Sequence, residues 1–217
     1  MYVEISPRQT GKTTRLLEAL IDYMVTHRII RHRFPLVALV ACNQRALDEL
    51  IGKLEVMGFI NSNTRPEWLD YIVTGTGYEE VINKIELWYR FQNPVREPDY
   101  WFVDEFSMIQ TEKLFPNGME PMDNAYYSST PNTTAGRFRF RTGSIYYLTD
   151  YCTANDINIK FHNNWTQARL EENGMFAEYM RDSILNDWVD FMEHYGFSPE
   201  EIKENWIPKR LKKHKLC

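Results

Sequence analysis

Two segments of this sequence carry residues able to do chemistry on a phosphate. The first is Ser6-Pro7-Arg8-Gln9-Thr10-Gly11-Lys12-Thr13-Thr14. It follows a short apolar run, Tyr2, Val3 and Ile5, that suits a strand, and precedes Arg15-Leu16-Leu17-Glu18-Ala19-Leu20, which suits a helix opening. In that setting successive backbone N–H groups and the partial positive charge of a helix N-terminus cradle a polyphosphate. Lys12 would reach the β- and γ-phosphates, and the Thr13 hydroxyl would ligate Mg²⁺. Ser6 stands where the G-x-x-x-x-G-K-[ST] pattern has its first glycine. An ordinary glycine-containing turn before a helix has the same local composition.

The second segment is the apolar run Tyr100-Trp101-Phe102-Val103, ending in Asp104-Glu105. A buried strand would deliver Asp104 to the coordination shell of Mg²⁺, and Glu105 would polarise a water for in-line attack on the γ-phosphate of ATP. Two adjacent carboxylates at the end of a hydrophobic strand are costly unless a cation sits nearby; the plain alternative is a solvent-facing acidic turn. A Glu beside the metal-binding Asp favours ATP hydrolysis over a small-molecule kinase, which has no need to activate water. Ser128-Ser129-Thr130-Pro131-Asn132 offers small hydroxyls that could sense the γ-phosphate, or is simply good turn chemistry. Within the first segment, Arg8 could stabilise transition-state charge in cis and Gln9 could contact the base or a phosphate; both could equally be solvated.

The elements that must position these groups read as strands alternating with helices. Leu36 to Cys42 is a continuous apolar run of buried-strand length, and Gln44 to Met57 has Ala46, Leu47, Leu50, Ile51 and Leu54 at helical spacing. Arg28 to Arg33 reads as a basic turn between the first helix and that strand. Tyr71 to Gly75 reads as a strand and Tyr78 to Phe91 as a helix. Asn124 to Ser129 and Ile145 to Leu148 read as further strands, and Phe106 to Met122, with Pro116, Gly118 and Pro121, as an irregular loop over the site. Such alternation implies an α/β fold, a mostly parallel sheet with helices on both faces, and ligands beyond the carboxyl ends of the strands. From about Trp165 apolar residues recur at helical spacing (Phe176, Tyr179, Met180, Ile184, Leu185, Trp188, Phe191), and Ser198-Pro199-Glu200-Glu201 reads as a helix start. Residues 1–160 are thus expected to form the main domain and residues 161–217 a short helical region with a basic tail, Lys209 to Lys215.

Bulk properties narrow the classes. A chain of 217 residues has room for one domain with a real core. Its net charge of −5 gives no global field to attract nucleic acid, so any such partner must meet a local patch. Candidates are Arg28, Arg31 and Arg33, the C-terminal tail, and Arg137 and Arg139 alternating with Phe138 and Phe140; each is also what a solvated surface looks like. Cys42, Cys152 and Cys217 are too few and too far apart for a disulfide framework or zinc ribbon, and the histidines have no metal-ligand spacing. With no signal peptide read ahead of the phosphate loop and no apolar run of membrane-spanning length, the expected setting is the cytoplasm, with no membrane partner.

In this order, Arg8 to Thr14, the Ala41-Cys42-Asn43-Gln44-Arg45-Ala46 segment, Val103-Asp104-Glu105 and Ser129-Thr130-Pro131-Asn132 resemble the ATPase domain of the large terminase subunit, the DNA-packaging motor of tailed phages and related viruses. The likeness covers roughly residues 1–160. It implies a P-loop NTPase of the additional-strand, catalytic-glutamate type, with ATP and Mg²⁺. The implied work is translocation of double-stranded DNA into a procapsid, by a homo-oligomeric ring docked on a portal. By the same analogy Arg8 would act at the γ-phosphate, Lys12 and Thr13 at phosphate and metal, Asp104 at the metal, Glu105 as the catalytic carboxylate, and Ser129-Thr130-Pro131 as the coupling segment. Large terminases usually carry a second, nuclease domain. Only about sixty residues follow the ATPase-like part here, so this chain is expected not to cut DNA. A helicase-like or other nucleic-acid-stimulated ATPase, or a slow ATP-dependent assembly switch, would share the Gly-Lys-Thr and Asp-Glu residues.

Overall fold

A computed structural model of the chain describes residues 1–6, 11–62, 64–88, 97–116, 120–130, 143–161, 192–193 and 196–201. Among these residues six strands, β1 (Tyr2–Ile5), β2 (Val37–Val40), β3 (Ile72–Gly75), β4 (Tyr100–Asp104), β5 (Ala125–Ser129) and β6 (Ile159–Phe161), form one sheet in the order β3-β2-β4-β5-β1-β6. Every pairing is parallel. The helices are α1 (Lys12–Arg31), α2 (Gln44–Ser62), α3 (Tyr78–Trp88), α4 (Thr111–Leu114), α5 (Gly143–Ala154) and α6 (Pro199–Glu201). The expected α/β class with a parallel sheet is therefore the observed one.

Side chains alternate across a strand, so a sheet covered on both faces needs two apolar sets. Val37, Leu39, Phe102 and Tyr126 pack with Leu16, Leu17, Leu20 and Met24 of α1 and Leu47, Leu50 and Leu54 of α2. On the opposite face Val3, Ile5, Ala38, Val40, Val103 and Tyr127 pack with Val81 and Ile85 of α3, Leu114 of α4, and Leu148 and Cys152 of α5. Met192, in the C-terminal part of the chain, joins this second cluster. Burial pushes the Cys152 thiol up to about 11, so it packs as a small apolar group. Among the described residues no helix is long and apolar enough to cross a membrane.

Three expectations are corrected. Ile145 to Leu148 lies in helix α5, not in a strand. A four-residue apolar run fits either element by periodicity; Leu148 and Cys152, four apart and both fully buried, supply the helical stripe. The final strand of the sheet is instead β6, which pairs with β1 through Val3↔Ile159 and Ile5↔Phe161. Phe106 to Met122 is not an irregular loop throughout. A 3₁₀ turn over Phe106–Met108 and helix α4 bring Phe106, Ile109, Leu114 and Phe115 into the core. Third, Arg28 and Arg31 belong to the last turn of α1 rather than to a turn after it. Cations are favoured there by the helix dipole, and an Arg28 Nη1–H bonds the His32 carbonyl. The reading of Ser198 holds: its Oγ accepts the Glu201 N–H at 3.2 Å, while the Glu201 carboxylate takes the Ser198 N–H at 2.9 Å, a reciprocal cap.

Candidate active site

Strand β5 lies between β1 and β4 and sets the site. Ile5 pairs with Ser129 on one side of it, and Asp104 pairs with Ser128 on the other. In a parallel sheet all carboxyl ends fall on the same edge, so the segments leaving β1, β4 and β5 open at one place. Ser6 extends the ladder by donating its N–H to Ser129 O at 3.0 Å. The chain re-enters the description at Gly11, whose φ of 80° puts it in the left-handed region that glycine adopts without strain. Lys12 begins α1, so its side chain starts from a helix N-terminus.

Here the two chemical segments meet. Lys12 Nζ lies 2.5 Å from Glu105 Oε1, with the lysine side chain 7% and the glutamate 30% exposed. The Thr13 hydroxyl donates to Asp104 Oδ2 at 3.0 Å, and the Ser128 hydroxyl donates to Asp104 Oδ1 at 2.5 Å. The adjacent carboxylates thus have their cation, as the cost of burying them requires. The alternative of a solvent-facing acidic turn does not describe Asp104, which is buried. Burial and the neighbouring Glu105 charge push the Asp104 carboxyl above the usual range, against Lys12 and the two hydroxyls, which pull it down.

Glu105 is held in an uncommon geometry. It is a non-glycine residue at φ 50°, ψ 46°, a conformation costing about 1–3 kcal/mol that persists only where its surroundings impose it. Its carbonyl accepts Met108 N–H at 2.8 Å. Its carboxylate accepts the Thr130 N–H at Oε2, 3.1 Å, and the Thr130 hydroxyl at Oε1, 3.2 Å. Thr130 is therefore brought to the site through Glu105. Behind it, Ser129 Oγ donates to Ser107 Oγ at 2.6 Å, Ser107 N–H donates to Ser129 Oγ at 3.1 Å, and Ser107 Oγ donates to Thr130 O at 3.1 Å. The end of β5 and the turn after β4 are one hydrogen-bonded unit.

Of the residues expected from sequence, Ser6, Gly11, Lys12, Thr13, Asp104, Glu105 and Thr130 sit at this edge of the sheet, and Thr14 is exposed on the first turn of α1. Pro7, Arg8, Gln9, Thr10, Pro131 and Asn132 lie outside the described residues, as do Arg137 to Phe140 and the basic tail. The sequence reading missed Glu4. This residue is fully buried in β1, where Ser6, Arg15 and Tyr126 all donate to it. A signal existed: an acid between Val3 and Ile5 of a strand covered on both faces must find partners. Ser107 was missed for want of any pattern marking it.

Chemically, the edge presents one buried carboxylate with two hydroxyls, all hard oxygen donors, beside a lysine and a second carboxylate. Among the described residues no three His, Cys, Asp or Glu side chains gather as an all-protein metal cage. One carboxylate and hydroxyls are what a cation bound together with a phosphate needs from the protein. No protein-family model matches the chain, and no curated protein is significantly similar to it.

Proposed function

We propose that this chain is a Mg²⁺-dependent P-loop ATPase of the additional-strand, catalytic-glutamate type. The observation that carries the reading is the meeting of Lys12 with Glu105, and of Thr13 with Asp104, at the carboxyl ends of β1 and β4. The interposition of β5 between those two strands supports the subtype. Thr13 and Asp104 would hold Mg²⁺, and their oxygen donors fit it; the ion would neutralise charge on the phosphates. Lys12 and the backbone of the Ser6–Thr14 segment would bind the phosphates of ATP, and Arg8 would stabilise charge at the γ-phosphate. Glu105 would accept a proton from water as the water oxygen forms a bond to the γ-phosphorus and the bond to the leaving ADP oxygen breaks. Thr130, on both oxygens of Glu105, would hold that carboxylate in place.

The work proposed for the hydrolysis is packaging of double-stranded DNA into a procapsid, by a homo-oligomeric ring on a portal. This part rests on the resemblance of residues Arg8 to Thr14 and Ser129 to Asn132 to terminase ATPase domains. The test is steady-state ATP hydrolysis by the purified chain, alone and with double-stranded DNA, single-stranded DNA or RNA. Stimulation mainly by double-stranded DNA is the expected result. Stimulation mainly by single strands or RNA would replace packaging by a helicase-like role.

A further inference from the structure

Between the two flanks of the candidate phosphate loop lies an ion pair that the proposed chemistry does not use. Glu4 is 0% exposed, and its side chain projects from β1 toward the face covered by α1. Both of its oxygens are engaged. Oε1 accepts the Ser6 hydroxyl at 2.9 Å and an Arg15 Nη2–H; Oε2 accepts Arg15 Nε–H at 3.3 Å and the Tyr126 hydroxyl at 2.6 Å. The guanidinium therefore grips the carboxylate with two donors, the fork geometry that fixes orientation as well as charge. Burial pushes the Glu4 carboxyl up, but the Arg15, Tyr126 and Ser6 donors outweigh it and hold Glu4 ionised, below the ordinary carboxylate range.

The placement of these partners in the chain gives the pair its meaning. Glu4 lies in β1 and Ser6 is the last described residue before Gly11, and Arg15 lies in the first turn of the helix that follows. Arg15 N–H also donates to Gly11 O at 3.0 Å, and an Arg15 Nη1 lies 3.4 Å from where a Cβ on Gly11 would stand. Arg15 thus contacts both flanks of the loop. Tyr126 ties the same carboxylate to β5, two residues before Ser128, which bonds Asp104. A buried ion pair is weak evidence for stability by itself, since its desolvation roughly offsets its attraction. It does fix geometry, and the geometry here is the spacing of the two loop ends.

We infer that the Glu4–Arg15 pair is a clamp closing the base of the phosphate loop, so that Glu4 and Arg15 are positioning residues that aim Lys12 and Thr13 at the bound phosphates. The inference rests on the reading of residues 6–14 as a phosphate loop. Neither residue touches nucleotide in this scheme; both act through the loop.

The experiment titrates a fluorescent ATP analogue, with Mg²⁺, into the full chain and its variants, with thermal unfolding measured beside it. Arg15→Met alone would strand a buried charge, so the paired variant Glu4→Gln with Arg15→Met removes both charges together. Arg15→Lys keeps the charge and loses the fork. The clamp predicts cooperative unfolding in the paired variant with nucleotide affinity weakened about tenfold or more, and an intermediate loss for Arg15→Lys, as expected when a positioning contact is lost. Affinity within about twofold of wild type in either folded variant, with only the unfolding midpoint lowered, would reduce the pair to a structural role and overturn the inference. Should the paired variant fail to fold, Arg15→Lys decides on the same scale. If wild type itself binds no nucleotide, the ATPase reading fails, and the clamp with it.

Discussion

Lys12 Nζ and Glu105 Oε1 lie 2.5 Å apart, joining the helix that follows β1 to the turn that follows β4. The same Glu105 oxygen also accepts the Thr130 hydroxyl, so all three strand ends, β1, β4 and β5, converge on one carboxylate. The lysine that would bind phosphate and the glutamate that would activate water are each other's counter-ion. On the proposed function, nucleotide binding would separate them, giving Lys12 to phosphate and leaving Glu105 with its Thr130 partners.

Lys12→Ala is expected to abolish nucleotide binding or hydrolysis, because Lys12, the first residue of α1, would supply the cation that meets the phosphates. A fluorescent-analogue titration with steady-state hydrolysis beside it checks this. Wild-type affinity together with wild-type turnover in this variant would remove Lys12 from the site.

Ser128→Ala removes the 2.5 Å hydrogen bond to Asp104 Oδ1 while leaving Thr13 on Oδ2. Partners that orient a metal-binding carboxylate are typically worth about 10–100-fold in metal affinity. The variant should need at least about tenfold more Mg²⁺ for half-maximal hydrolysis. An unchanged Mg²⁺ dependence would show that Asp104 does not meet the metal through this face.

Phe115→Ala tests whether the segment after Glu105 is core or loop. Phe115 is 1% exposed and meets Tyr127 edge-on at 6.1 Å. Truncation should cost about 3–5 kcal/mol in a urea titration, the usual figure for a buried phenylalanine. A loss under about 0.5 kcal/mol would match a surface loop instead.

Glu80 gives a pH signature away from the site. Burial raises its carboxyl, but the Lys84 ammonium and the Thr76 hydroxyl and N–H outweigh burial and hold it down at about 2. A depressed carboxylate stabilises the fold above its unfolded value, 4.5, and loses that contribution as pH falls toward about 2. Wild type should therefore exceed Glu80→Gln in stability at pH 7, with the gap closing between about pH 4.5 and pH 2. The group is more than a third exposed, so the gap should be small and salt-sensitive. A gap that stays constant through this window would contradict the assignment.

The strands and site were legible where one physical demand dominated the local sequence. Leu36 to Cys42 and Tyr100 to Val103 are apolar throughout because a parallel sheet buries both faces of its central strands. Gly11-Lys12-Thr13 and Asp104-Glu105 stood out because their types, at the ends of apolar runs, suit phosphate and metal chemistry. The misreadings came where local pattern was silent. Ile145 to Leu148 is too short for its period to separate helix from strand, and the helical stripe becomes visible only with Cys152. Phe106 to Met122 carries the prolines and glycine of a loop, yet its aromatics are claimed by the core. Glu4 was passed over inside the run Tyr2, Val3 and Ile5; only the covering helix α1, which supplies Arg15, makes it a buried ion pair. The Ser107–Ser129 contact is purely tertiary, and neither residue announces it.

The central claim is that Glu105 activates water for ATP hydrolysis. Its most direct test compares steady-state hydrolysis by wild type and Glu105→Gln at saturating Mg²⁺-ATP, with analogue binding measured on both. Wild type should hydrolyse ATP, and the variant should bind normally with turnover cut by on the order of a hundredfold or more, as for a lost proton acceptor. Hydrolysis by Glu105→Gln at the wild-type rate would contradict the account.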